Sequence, residues 1–344
     1  MIFDTSFKLK KVDFSNGALK NQRKLLSFDI SGVDITNLVI YQVVMSEVVK
    51  IVILNCPGGK DWGPIYTSYL ETYIIPTRFS FEYTVIDISD TARTNKLLDN
   101  NEYDGYVITG STCNAYDNDE WIVNLIDRIR IINETNKKLL GICFGHQIIS
   151  RALGGVVSRS EKGWGIGHRS IDLTKDGQEY LRDLELMYAS MLSQPEDSMS
   201  CRPLEDAIIL NYSHQDQVVD LPLDVLRVAG SNAHCPHAVL YRSSPMSAAS
   251  PTQGAAEILT FQGHPEFSSA LMLDIITMLR EHGAYVRPCP LTGAQVSSLG
   301  YEESLEEVVE AVAALAQDTQ KERHTLHSSA IGKCIIAFLC SKSC

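Results

Sequence analysis

No CxxC pair and no tightly spaced framework occurs among the nine cysteines, at positions 56, 113, 143, 201, 235, 289, 334, 340 and 344. A disulfide scaffold is therefore not indicated, and the usage suits a reducing compartment, here taken as the cytoplasm. Basic residues are also short: 30 Lys and Arg stand against 42 Asp and Glu, giving a net charge of -12. That balance argues against a nucleic-acid partner, which normally needs a basic face. The amino terminus lacks the basic region, continuous apolar core and small-residue cleavage site of a secretory signal. The apolar run Cys334 to Cys340 is far below the roughly 20 residues needed to span a bilayer, so no membrane role is expected. What the chain does have is 44% hydrophobic residues over 344 positions, enough apolar material for one large domain or two small ones.

The informative stretch is KLLGICFGHQIISRALGG, where the apolar run Leu139 to Ile142 leads into Gly141-x-Cys143-x-Gly145 and then a helical pattern at Ile148, Ile149, Ala152 and Leu153. Strand, sharp turn and helix in that order form a nucleophile elbow with cysteine at its tip. Glycines two residues either side leave room where side chains would collide. The helix N-terminus favours negative charge at the sulfur, and the N-H of Phe144 is placed to bind an oxyanion. The alternative is a buried cysteine in an ordinary α/β turn, since free cysteine is often a small core residue.

Far downstream, ILTFQGHPEF places His264 and Glu266 two apart after an apolar run. Residues i and i+2 of an extended chain project to one side, so Glu266 can orient the imidazole while Pro265 fixes the backbone between them. Cys143, His264 and Glu266 together supply nucleophile, proton carrier and orienting carboxylate.

GICFGHQ, YSHQDQV (Tyr212 to Val218) and QGHPEF, in this order, resemble the class I glutamine amidotransferase domain of the Cys-His-Glu group. Within it the chain looks like the stand-alone proteins related to the amidotransferase part of GMP synthase, some of which act as gamma-glutamyl peptidases. The likeness runs from about Lys50 to about Gly283. It implies attack by Cys143 on a gamma-glutamyl amide, with no cofactor and no metal. It also implies oxyanion donors at Ser111 and Phe144 and substrate contacts at Gly110, Gln147, Ser213, His214 and Gln215. Glutamine or a gamma-glutamyl compound is the expected ligand. A true amidotransferase would need a separate synthetase or acceptor enzyme, because no ATP-pyrophosphatase module follows the domain. Three departures stand out: GST replaces the common GGP at Gly110 to Thr112, Gly165 stands where the family usually has an acidic residue, and Gln215 stands where it usually has a glycine.

Taken in order, VVKIVILNC (Val48 to Cys56), EYTVIDI (Glu82 to Ile88) and YDGYVITGS (Tyr103 to Ser111) read as strands. Helical patches fall near Tyr66 to Tyr73 and from about Glu120 to Asn136, where Ile122, Leu125, Ile126 and Ile129 make one core face. The fold class is therefore α/β, a doubly wound, mostly parallel sheet with helices on both faces, flavodoxin-like by the resemblance. Further elements are a helix at Leu181 to Leu192, strands at Ala207 to Tyr212 and Ala238 to Tyr241, and a helix at Ser268 to His282. Surface loops are read at Ser193 to Asp206 and Ser243 to Ala255.

Three units result: an N-terminal extension, 1–47; the amidotransferase-type domain, 48–284; and a C-terminal appendage, 285–344. The extension contains SGVDITN, which lacks the second glycine and final serine of a phosphate loop, and the apolar LVIYQVVM, read either as an added strand or helix packed on the domain or as a poorly ordered segment. The appendage comprises a linker (Leu291 to Gly300), an acidic amphipathic helix (Glu302 to Gln317) and CIIAFLC, either a docked tail or exposed. HCPH (His234 to His237) offers three ligand-type residues but has no second pair to complete a zinc site.

Overall fold

The computed structural model describes residues 46–58, 61–75, 78–99, 102–135, 137–192, 206–221, 226–232, 235–243, 256–281, 286–288, 295–297 and 319–341. All of them belong to one compact unit, 44–344. Residues 1–45 of the extension, the loops 193–205 and 244–255, His234 and the acidic helix at Glu302 to Gln317 lie outside the described residues.

The strands are β1 (Glu47–Asn55), β2 (Phe79–Asp87), β3 (Gly105–Ile108), β4 (Lys138–Ile142), β5 (Val156–Arg159), β6 (Gly165–Leu173), β7 (Ala207–His214), β8 (Asp216–Asp220), β9 (Arg227–Ser231), β10 (Val239–Arg242) and β11 (Glu257–Phe261). Two short strands, β12 (Val286–Pro288) and β13 (Gln295–Ser297), pair as an antiparallel ribbon at the stretch read as linker. The helices are α1 (Gly63–Tyr73), α2 (Thr91–Leu98), α3 (Glu120–Asn133), α4 (Phe144–Ala152), α5 (Lys175–Met191), α6 (Ser269–Glu281) and α7 (Thr319–Cys340).

Nine strands form one sheet, ordered β2-β1-β3-β4-β11-β10-β9-β6-β7. The first five run parallel, and from β11 outward each neighbour is antiparallel, so β10 and β6 alone oppose the common direction. The sheet is thus doubly wound and mostly parallel at the site end. β1 shows why: Val49, Ile51 and Ile53 enter one apolar cluster while Val52 and Leu54 enter the other. A strand buried on both faces must be apolar at successive positions, which is the pattern of its sequence. Helices α1, α5, α6 and α7 contribute to the first cluster, α2, α3 and α4 to the second. In α3, Ile122, Leu125, Ile126 and Ile129 are all buried, as their spacing requires.

The C-terminal segment takes its place in this core. Ile331, Ile335, Ile336, Phe338 and Leu339 of α7 are buried in the same cluster as Tyr66 and Leu70 of α1 and Leu181 and Leu184 of α5. Five such side chains at roughly 1.5–3 kcal/mol each amount to about 10 kcal/mol, on the order of a domain's whole stability. CIIAFLC is therefore a docked, buried helix end rather than an exposed one. A buried ion pair fixes the base of the central strands, Lys138 Nζ to Glu257 Oε2 at 2.6 Å, with the ammonium 5.5 Å from the Phe338 ring centroid of α7.

Candidate active site

Parallel pairing of β4 with β11 sets Ile142 beside Phe261, so Cys143 and Gln262 leave the sheet at the same level. Cys143 N-H donates to the Phe261 carbonyl at 2.8 Å, carrying the ladder one residue past the strand. Cys143 has φ 54 and ψ -103, the one positive φ of a non-glycine residue among the described residues. Such backbone costs about 1–3 kcal/mol and persists only where surroundings impose it. Here the flanking glycines do so. A Cβ on Gly145 would overlap the Ile108 carbonyl of β3, and one on Gly141 would lie 2.7 Å from the Gly145 carbonyl. Only glycine at both positions lets α4 start directly against the sheet.

His264 and Glu266 stand just past β11. His264 Nδ1 is 2.8 Å from Glu266 Oε1, and both side chains are buried. The imidazole lies flat on Phe267, with centroids 3.9 Å apart and planes at 8°, and Phe267 in turn stacks on Trp62 at 5.7 Å. The ring thus has one rotational setting. Gly110 locates it relative to the cysteine: a Cβ there would be 3.3 Å from His264 Cε1 and 3.8 Å from Cys143 Cβ. Burial disfavours charge on His264, yet the Glu266 carboxylate and the hydrogen-bonded Cys143 sulfur outweigh it and push the ring up to about 10. The imidazole therefore holds its proton at neutral pH.

A cavity of about 150 Å3 opens over these groups. Of the ten residues expected at the site, nine line it: Gly110, Ser111, Cys143, Gln147, Ser213, His214, Gln215, His264 and Glu266. Phe144 turns its ring away onto Trp121 at 5.5 Å, leaving its backbone at the first turn of α4. The amide of Gly110 is engaged by the Tyr66 hydroxyl at 3.2 Å. Neither the Ser111 nor the Phe144 N-H bonds to another described residue. The loop after Ser111 is held onto α4 by Arg151, whose guanidinium donates to the Ala115 and Asp117 carbonyls at 2.7 Å.

Gln147 Nε2 donates to the Asp216 carbonyl at 2.7 Å and to Gln262 Oε1 at 3.1 Å, tying α4 to the turn between β7 and β8. His214 Nδ1 meets the Asp216 carbonyl at 2.9 Å, so its ring fixes the turn. The departures at Gly165 and Gln215 have a local setting. A Cβ on Gly165 would sit 3.0 Å from His214 Nε2, so a side chain there would crowd that ring. Gln215 is absent from the positive-φ residues, so no glycine is needed there. His146 is fully buried, bonded to Thr260 Oγ1 at 2.9 Å and lowered to about 3 by burial; it does not line the cavity.

Three groups escaped the sequence reading. Gln262 Nε2 lies 3.6 Å from Cys143 Sγ and sits inside the quoted QGHPEF. Tyr66, buried beside Glu266, joins the carboxylate to the Gly110 amide, and burial with that nearby charge holds its hydroxyl protonated. Asn211 accepts from His264 N-H at 2.7 Å through its carbonyl. Only the first had a signal in the sequence, its place two residues before His264. Cys235 is held in a turn by Asn232 and His237 meets the Val219 carbonyl at 3.3 Å. Among the described residues no group of three or more metal-ligating side chains forms, the described cysteines are free thiols, and no helix is long and apolar enough to cross a membrane.

Residues 61–276 match the family model for glutamine amidotransferase class-I. Gamma-glutamyl peptidase 3 of Arabidopsis thaliana is 33% identical over 181 residues, 52% of this chain and 60% of that protein. Gamma-glutamyl peptidase 5 of the same plant is 32% identical over 181 residues, 52% of this chain and 59% of that protein. The chain thus spans about three fifths of the length of these relatives. A glutamine amidotransferase from Thermotoga maritima shares the fold at TM-score 0.54 and 17% identity, covering 85% of this chain and 99% of that one. With the family model spanning well over half the sequence, the chain belongs to the class-I glutamine amidotransferase family.

Proposed function

We propose that this protein hydrolyses gamma-glutamyl amide bonds through a thioester on Cys143. The observation that carries the reading is the convergence of Cys143, His264 and Gly110 on the cavity, with Glu266 bonded to the imidazole Nδ1. The sulfur attacks the gamma-carbonyl, its proton residing on His264. Charge developing on the carbonyl oxygen is met by the N-H groups of Ser111 and Phe144. His264 then protonates the departing nitrogen, the C-N bond breaks and a glutamyl thioester remains. Water, deprotonated by the same imidazole, cleaves the thioester to glutamate and restores the thiol. Glu266 holds the ring tautomer and stabilises the imidazolium throughout. Gln147, Ser213, His214 and Gln215 hold the glutamyl part, and Gln262 steadies the sulfur.

Glutamine is the simplest substrate, releasing ammonia that a separate acceptor enzyme would consume. A gamma-glutamyl peptide is the second reading, favoured by the names of the Arabidopsis relatives. The test is direct: purified full chain is incubated with glutamine, with glutathione and with a glutathione S-conjugate, and glutamate release is measured in each. Release from none of the three would refute the proposal; the ratio among them assigns the leaving group.

A further inference from the structure

The four-residue turn that carries the acid-base pair, His264 to Phe267, is gripped at three points. Asn211 of β7 takes both ends: its carbonyl accepts from His264 N-H at 2.7 Å, and its Nδ2 donates to the Phe267 carbonyl at 2.7 Å. The middle is taken by Ser328 of α7, whose hydroxyl donates to the Pro265 carbonyl. The same helix also holds Asn211, because His324 Nε2 lies 3.1 Å from Asn211 Nδ2. Only the neutral ring can accept there, and burial keeps His324 neutral by lowering it to about 3. The helix is itself fixed in rotation. Tyr69 hydroxyl donates to the Ser328 carbonyl at 2.9 Å, His327 Nδ1 accepts from Ile209 N-H at 2.9 Å, and the His324 ring stacks on His168 at 4.3 Å. Generic packing cover would not need buried polar groups, each costly unless matched.

We infer that α7, which lies beyond residues 61–276 matched by the family model, is a positioning element of the active site. Ser328, acting on Pro265, and His324, acting through Asn211, set the angle at which His264 and Glu266 face Cys143. The inference rests on the acid-base roles proposed above for those two residues. None of the α7 groups lines the cavity, so substrate binding is untouched while the proton-transfer geometry depends on them. A loss from misplacing a catalytic base by a fraction of an ångström appears in kcat, not in KM.

The experiment uses the full chain with Ser328→Ala and His324→Leu, the conservative pair Ser328→Thr and His324→Gln, and Leu326→Ala as a control on the exposed face of the same helix. Two readouts are taken beside thermal melting: kcat and KM on gamma-glutamyl-p-nitroanilide, and the pH profile of iodoacetamide alkylation at Cys143, followed by peptide mass spectrometry. Losing one hydrogen bond should lower kcat roughly three- to tenfold at unchanged KM. The alkylation profile should be displaced, with both effects restored in Ser328→Thr and His324→Gln and absent in Leu326→Ala. Wild-type kcat and an unmoved alkylation profile in Ser328→Ala and His324→Leu would overturn the inference, whatever happens to melting. Should the wild type turn over no gamma-glutamyl substrate, the reaction is misassigned, and the alkylation arm still decides whether α7 positions the pair.

Discussion

The imidazole of His264 lies face to face with the ring of Phe267, centroids 3.9 Å apart and planes at 8°. Two residues of one turn thereby restrain each other, and Trp62 behind Phe267 completes the stack. The histidine's orientation is consequently a property of packing as well as of its bond to Glu266.

Phe267→Leu should keep the apolar volume and lose the flat support. Aromatic stacking contributes about 0.5–1.5 kcal/mol beyond burial, so kcat is expected to fall roughly two- to tenfold with KM little changed. Steady-state kinetics on gamma-glutamyl-p-nitroanilide checks this.

Glu266→Gln removes the carboxylate that raises His264. Burial then dominates and the ring should titrate well below its present value near 10. The sign for stability follows. A histidine raised above its ordinary 6.5 adds stability that is fully present below about pH 6.5 and is lost as pH rises through about 10. Urea unfolding of wild type from pH 6 to 10 should show that decline, and the variant should lack it. The rate should fall by orders of magnitude less than on loss of Cys143.

Acid acts on different groups. His146 and His324 are buried and neutral, both lowered to about 3, so the unfolded chain binds more protons than the folded one between about pH 6.5 and 3. Stability should therefore fall as pH drops through that window. His146→Asn should shallow the dependence in chemical denaturation at pH 4 to 7, because Asn does not titrate.

Glu257→Ala leaves the Lys138 ammonium buried without its 2.6 Å partner. Breaking one side of a buried pair typically costs about 3–5 kcal/mol. Melting temperature should drop accordingly, while Glu257→Ala combined with Lys138→Met should recover much of the loss.

How much of this was written in the sequence depends on range. The elbow is legible because its pattern lies within five residues, Gly141 to Gly145, although only part of the reason is local: the Gly145 backbone fills the space a side chain at Gly141 would take, while the Ile108 carbonyl of β3 fills the space at Gly145. His264 and Glu266 are legible as an i, i+2 pair. The parallel strands show as continuous apolar runs, whereas β6, β8 and β9 are short or mixed in pattern and emerge only from their pairing. Asn211 and Ser328 give no local signal, since each acts on a turn more than fifty residues away. The helix α7 was hidden for a related reason. His324, His327 and Ser328 break its apolar pattern, and each meets a partner distant in sequence.

The most direct test is to trap the covalent species. Wild-type protein mixed with a gamma-glutamyl substrate and quenched in acid within the first turnover should carry a glutamyl adduct on the peptide containing Cys143, read by mass spectrometry. Cys143→Ala, folded to the same melting temperature, should form no adduct and release no glutamate. Glutamate release by that variant, or an adduct on any other residue, would contradict the account.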